Sequence, residues 1–310
     1  MKKTDAAHFL RGLMMGTANI IPGASGGTVA LILGIYRRLI AAISHFDRPW
    51  LGLVFGGRWH TAAQHVDLRF LISLGFGVVA GTLIFGRLIH GLLTGYDAGE
   101  YQGGTFAVFF GFIAASTLLV ARRVSRWNSA GCLLAILSGV VAYAIAASSP
   151  GASDKPASFL YLLCCGAVAI SAMILPGISG ALLLKLMGVY TQVTGYLSEF
   201  SKAQFTVNNL LGIFVFVVGC GVGLLLFTKL LRILLSRHYD LTLSALCGFM
   251  AGSLRSLWPW DTQQPLVTPL WQQIALFVAL AIAGATSILL LEKSAIVEKD
   301  PEESADLAAE

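Results

Sequence analysis

Residues 17–28 read TANIIPGASGGT and residues 171–182 read SAMILPGISGAL. Each puts a proline, glycines and a hydroxyl inside one of the most apolar parts of the chain. Proline removes a backbone donor and glycine loosens a helix, so both stretches are predicted helix breaks. Ser25 and Ser179 stand where a helix returning from the break, beginning at Gly26 or Gly180, needs an N-cap. The backbone donors and positive dipole end of such a start suit an anionic group, and Gly26 and Gly27 let it come close. The same residues also serve a purely structural turn, with serine as its cap. Asn19 and Thr28, beside the first break, either donate to an oxyanion or cap a helix.

Cations inside apolar segments extend the pattern. Lys185 lies five residues beyond Gly180, about 7.5 Å along a helix, where a charge is functional by default. Arg87 and Lys229 fall in the last third of their segments and either line a pathway or snorkel to headgroups. Arg37 and Arg38, about 18 Å from Ser25 if one helix continues, fit a cytoplasmic rim that meets lipid phosphate or simply marks topology. Asp67, Asp97, Glu100, Asp154, Glu199, Asp240 and Asp261 all fall in loops or at segment ends, which argues against a cation pathway. His45, His60 and His65 flank an amphipathic insert, LGLVFGGRWHTAAQH, expected at the membrane interface. They lack cysteine or acidic partners at ligand spacing, so neither a metal site nor a cofactor is expected. The five cysteines are odd in number and sit in apolar segments as small packing residues.

The elements that must position these groups follow from composition. Of 310 residues, 56% are hydrophobic and 12% charged, and the mean hydropathy is +0.77. This is the composition of an integral membrane protein. Stretches long enough to span, each about 20 residues, occur at 68–95, 104–121, 130–148, 207–235, 242–257 and 270–291. The two broken regions are 8–43 and 158–197. The basic start, MKKTD, is read as retained because no cleavage site follows it. The net charge is +5, yet the acidic tail 293–310 conceals a more basic body, the ordinary signature of membrane topology.

The breaks belong to a longer self-match. TANIIPGASGGTVALILGIYRRL aligns with SAMILPGISGALLLKLMGVYTQV, pairing Pro22 with Pro176, Ser25 with Ser179, Gly34 with Gly188 and Tyr36 with Tyr190; Leu31 falls on Lys185. Farther on, Arg87 falls on Lys229 and Gly111 on Gly248, so the chain is duplicated. Arg122, Arg123 and Arg126 mark a cytoplasmic loop, and the loop with Arg48 and Arg58 lies on the same side. Residues 8–43 then enter and leave on one side as a re-entrant hairpin. One hairpin plus three crossings per copy is odd, so the copies are inverted. The expected fold is an all-α polytopic membrane protein of two inverted repeats, 1–148 and 149–292, with a cytoplasmic acidic tail and both termini cytoplasmic.

NIIPGASGGTVALILGIYRRLI, with its echo MILPGISGALLLKLMGVY, resembles the signature of the PopT-type family of bacterial undecaprenyl-phosphate translocases. The resemblance covers nearly the whole chain, with Ala181 in the second motif where the first has Gly27. It implies a bacterial plasma-membrane protein that returns undecaprenyl phosphate, the lipid carrier of cell-wall synthesis, from the outer to the inner leaflet. Under that reading Ser25, Gly26, Gly27, Ser179 and Gly180 hold the headgroup, Lys185 and Arg87 draw it in, and Arg37 and Arg38 receive it inside. Its partners are then undecaprenyl phosphate and membrane lipids, with a homo-oligomer left open and no nucleic acid. A transporter or channel for a small soluble anion is the rival. An enzyme would need clustered acids, histidines or a metal site in the core, and the segments offer none.

Overall fold

The computed structural model describes residues 3–20, 25–94, 98–148, 157–176, 180–201, 206–258 and 270–297, and among them every regular element is helical. In chain order these are α1 (Lys3–Ile20), α2 (Gly26–Ile32), α3 (Tyr36–Ser44), α4 (Arg48–Phe55), α5 (Trp59–His65), α6 (Leu68–Thr94), α7 (Ala98–Arg122) and α8 (Ser129–Ala147). They continue with α9 (Phe159–Ile174), α10 (Gly180–Leu186), α11 (Tyr190–Ser201), α12 (Val207–Arg237), α13 (Tyr239–Ser253), a 3-10 turn (Leu254–Leu257) and α14 (Leu270–Val297). Segments within α6, α7, α8, α12 and α14 are long and apolar enough to cross a membrane. The chain is thus a multi-pass membrane protein.

Four long helix pairs make the frame: α1 along α6, α9 along α12, α7 along α14, and α8 along α13. Lipid tails are as apolar as leucine, so such pairs are held by close packing and not by expulsion of water. Small residues supply the closeness. The spacing Gly-x-x-x-Gly occurs at Gly12 and Gly16 on α1, Gly77 and Gly81 on α6, Gly219 and Gly223 on α12, and Gly248 and Gly252 on α13. At each of these glycines a Cβ would run into the facing helix. The lipid-facing surface is set by what remains: Phe76, Leu83, Ile136, Val140, Phe214, Leu226, Ile282 and Leu290 are all more than half exposed.

Inside this frame sits the short helix α2, all seven of whose residues are buried. The central apolar cluster joins Val29, Ala30 and Leu31 of α2 to Met15 of α1, Phe70 and Leu74 of α6, Val120 of α7, Leu231 of α12 and Met250 of α13. A short helix with a break on either side is tolerated here because protein covers it on all sides.

Three expectations need correction. The helix before the first break is α1, 18 residues from Lys3, so it rises about 27 Å and not the shorter length that a start at residue 8 implied. The stretch after the break is two helices: α2 ends at Ile32, Gly34 takes a left-handed φ of 77°, and α3 leaves at 120° to α2. Arg37 and Arg38 therefore do not continue the helix that Ser25 caps. The segment 242–257 is α13 plus the 3-10 turn; α13 alone, at 15 residues, reaches about 22 Å, short of a hydrocarbon core of about 30 Å. The tail beyond Val297 and the breaks' residues 21–24 and 177–179 lie outside the described residues.

Candidate functional site

Ser25 has an extended backbone, φ −133° and ψ 149°, and its Oγ accepts from the Thr28 amide at 3.3 Å. It is the N-cap the sequence predicts. Its hydroxyl also donates, at 3.0 Å, to the Leu175 carbonyl, 150 residues away at the end of α9. Tyr36, at the start of α3, donates its phenol to the neighbouring Ile174 carbonyl at 3.1 Å. The last carbonyls of a helix have no partner within it, and Pro176 prevents α9 from continuing. The first break therefore supplies the donors that the second break lacks.

Asn19 completes this end of α2: its Oδ1 accepts from the Gly26 amide at 2.6 Å. Of its two sequence readings, capping is what the structure shows. Gly27 packs so closely on α9 that a Cβ there would strike the Ile174 carbonyl oxygen. Thr28 is buried, with its hydroxyl 3.4 Å from that of Ser25. A cavity of about 90 Å³ adjoins these groups, lined by Asn19, Gly26, Gly27 and Tyr36 with the apolar side chains of Met15, Leu39, Met173 and Ile174 among others.

The structure thus gathers Asn19, Ser25, Gly26, Gly27 and Thr28 at one place. Gly180 is buried at the start of α10, against Ala169 and Met173 of α9, while Ser179 lies outside the described residues. Lys185 is exposed in the last turn of α10, with Nζ 5.0 Å from the Tyr190 ring centroid. Lys229 is exposed on α12. Arg87 is on α6, its side chain outside the described set. Arg37 lies over Tyr239 at 5.5 Å, and Arg38 pairs with Asp67 at 2.7 Å and covers Phe70 at 4.6 Å.

Two residues of the site carried no role in the sequence reading. Tyr36 recurs as Tyr190 in the self-match, which was the available signal. Arg123, counted only as a topology marker, reaches α2 with Nη1 2.7 Å from the Leu31 carbonyl and Nη2 3.1 Å from that of Ile32. An unanticipated ion pair also closes the start of α1, where Asp5 takes both Nε and Nη2 of Arg69 at 2.7 and 2.6 Å.

At the rim, the imidazoles of His45 and His65 lie 4.9 Å apart, and His65 Nε2 is 3.2 Å from Asp47. Among the described residues no three such side chains form a metal-binding group. Burial first, then the charges of Arg232 and His65, hold His45 below its ordinary value of 6.5, with Asp47 opposing them. A depressed histidine pKa means that the folded protein binds fewer protons there than the unfolded chain. This corner is therefore most stable above pH 6.5 and loses stability as the pH falls through the folded-state value. Amide exchange over α4 and α5 should quicken on acidification from about pH 7.5 to about pH 5.5, and the dependence should shrink in His45→Gln. Identical pH profiles for the two proteins would remove His45 from the account.

These features define a class: a multi-pass helical membrane protein whose core is made of interrupted helices that complete one another's hydrogen bonding at a break. More particularly, the chain belongs to the undecaprenyl phosphate translocase-like family, whose model matches residues 15–274. It is 34% identical to the polyprenyl-phosphate transporter of Vibrio cholerae over 252 residues, 81% of this chain and 77% of that one. With the polyprenyl-phosphate transporter of Staphylococcus aureus it shares 29% identity over 273 residues, 84% and 88% of the two chains. No solved structure matches it.

Proposed function

We propose that the protein transports undecaprenyl phosphate, returning it from the outer to the inner leaflet of the bacterial plasma membrane, with the phosphate passing at the first break. The observation that carries this reading is the cavity of about 90 Å³ beside Asn19, Gly26, Gly27 and Tyr36. It is about three times a water molecule's ~30 Å³ share of the liquid. That is room for a compact polar headgroup and not for a polyprenyl tail, which must stay at the lipid-facing surface. The names of the two relatives point to the same substrate class.

The repeats are read as inverted, with both termini cytoplasmic and α1–α3 and α9–α11 as opposed hairpins. The helix pairings support a duplication, since α1 with α6 corresponds to α9 with α12, and α7 with α14 to α13 with α8, and the loop charges then favour inversion. Gly34 and Gly188 also take matching φ values of 77° and 72°. Opposed interrupted helices at a repeat interface are how inverted-repeat transporters hold anions near the bilayer midplane.

Ser25 and Asn19 are already engaged, so their first task is to hold α2 in place. Gly26, Gly27 and Tyr36 are the groups offered to a headgroup, with Ser179 and Gly180 as the second half's contribution. Lys185 and Arg87 attract the phosphate on the outer side, and Lys229, Arg37 and Arg38 hold the inner side positive. No step calls for covalent chemistry.

The test is leaflet exchange of undecaprenyl phosphate by the purified protein in liposomes, with inorganic phosphate as the control solute. Exchange of the lipid and no flux of the free ion is the expected result. Lys185→Leu should slow lipid exchange about tenfold, the consequence of losing one charge-assisted contact. Flux of inorganic phosphate without lipid exchange would instead establish a soluble-anion pathway.

A further inference from the structure

We propose that Arg123 is a positioning residue for the first break, a latch that holds α2 seated from its far end. Ser25 and Asn19 fix the N-terminal end of α2. The other end closes at Leu31 and Ile32, where the Leu31 carbonyl accepts from the Gly34 amide at 3.2 Å and the helix dipole is negative. Arg123, immediately after α7, meets both carbonyls with separate guanidinium nitrogens. Hydrogen bonds from a charged donor are the stronger kind. The planar fork suits two adjacent acceptors in a way that a lysine ammonium does not.

Two comparisons within the molecule give this contact its meaning. Arg38 and Arg69 pair with Asp67 and Asp5, whereas among the described residues no carboxylate lies within ion-pair distance of Arg123. Its charge meets the end of α2. In the second half the residue aligned with Leu31 is Lys185, itself a cation. There α10 is far less enclosed, with Gly180 buried but Ala181 and Lys185 exposed. The first broken helix is enclosed and held at both ends, while its counterpart is partly exposed.

The latch follows from geometry alone, but its importance for transport rests on the reading of the first break as the headgroup site. Two measurements on the full chain in lipid nanodiscs and liposomes separate the two. In Arg123→Gln, amide exchange over residues 26–32 should quicken about tenfold or more, with Arg123→Lys intermediate and α6 unchanged. Lipid exchange per folded molecule should fall about tenfold at saturating undecaprenyl phosphate, with the half-saturating concentration nearly unchanged, and Arg123→Lys should recover part of it.

Unchanged amide exchange over α2 in Arg123→Gln would overturn the latch. So would a loss of transport that only tracks the loss of folded protein, measured by melting and size-exclusion chromatography. Faster exchange over α2 with full turnover would overturn its role in positioning. If the wild-type protein moved no polyprenyl phosphate while Arg123→Gln still freed α2, the latch would stand and the transport reading would fall.

Discussion

Gly27→Ala is expected to abolish lipid exchange and to lower the melting temperature of the detergent-solubilised protein. A Cβ at this position meets the carbonyl oxygen of Ile174, a backbone atom that has no rotamer to move aside. Nor is that carbonyl free to shift. Tyr36 holds it at 3.1 Å, and Ser25 holds the next one, at Leu175, at 3.0 Å. Accommodating a methyl group means separating α2 from the end of α9 and breaking both bonds. Overpacking a tight site costs about 1–3 kcal/mol, and the lost hydrogen bonds add to it. The control is Gly221→Ala on α12, where an added Cβ meets nothing within 4 Å. There the change to a better helix former should leave stability equal or higher. Wild-type exchange and melting in Gly27→Ala would show that the close approach of the two breaks is not required.

The double variant Ser25→Ala/Tyr36→Phe should destabilise the protein more than any exposed substitution, with Tyr36→Phe alone producing a clear part of the loss. Each change removes one hydroxyl from a buried residue, at 2% exposure in both cases. Each leaves a carbonyl at the end of α9 without its donor. At membrane depth little water is present to replace it, and an unsatisfied buried group costs about 1–3 kcal/mol. Because Ile174 and Leu175 are adjacent, the two losses should not add independently. Melting of the single and double variants in one detergent measures the coupling. An unchanged melting temperature for the double variant would mean that these bonds contribute nothing to holding the halves together.

Much of the architecture is legible in local sequence. Long apolar runs identify the crossings, because a helix that satisfies its own backbone is the economical way through hydrocarbon. Ser25 caps α2, accepting from the Thr28 amide at 3.3 Å, as its place after proline and glycine requires. Even the turn that separates α2 from α3 has a local cause, since Gly34 adopts a φ of 77° that other residues resist. Its consequence for Arg37 and Arg38 is not legible locally, because an unbroken apolar pattern on both sides reads as one helix.

Local sequence was enough for the membrane class, the places of the breaks and the N-cap. Hydropathy, proline and glycine act within a few residues of where they stand. Packing alone shows which carbonyls receive Ser25 and Tyr36, that α8 lies along α13 and α14 along α7, and that Arg123 meets the far end of α2. In a bilayer, residues facing lipid and residues facing protein are equally apolar, so periodicity does not reveal who packs against whom. A hydroxyl and its acceptor 150 residues away are joined only once the glycine seams have brought the helices together.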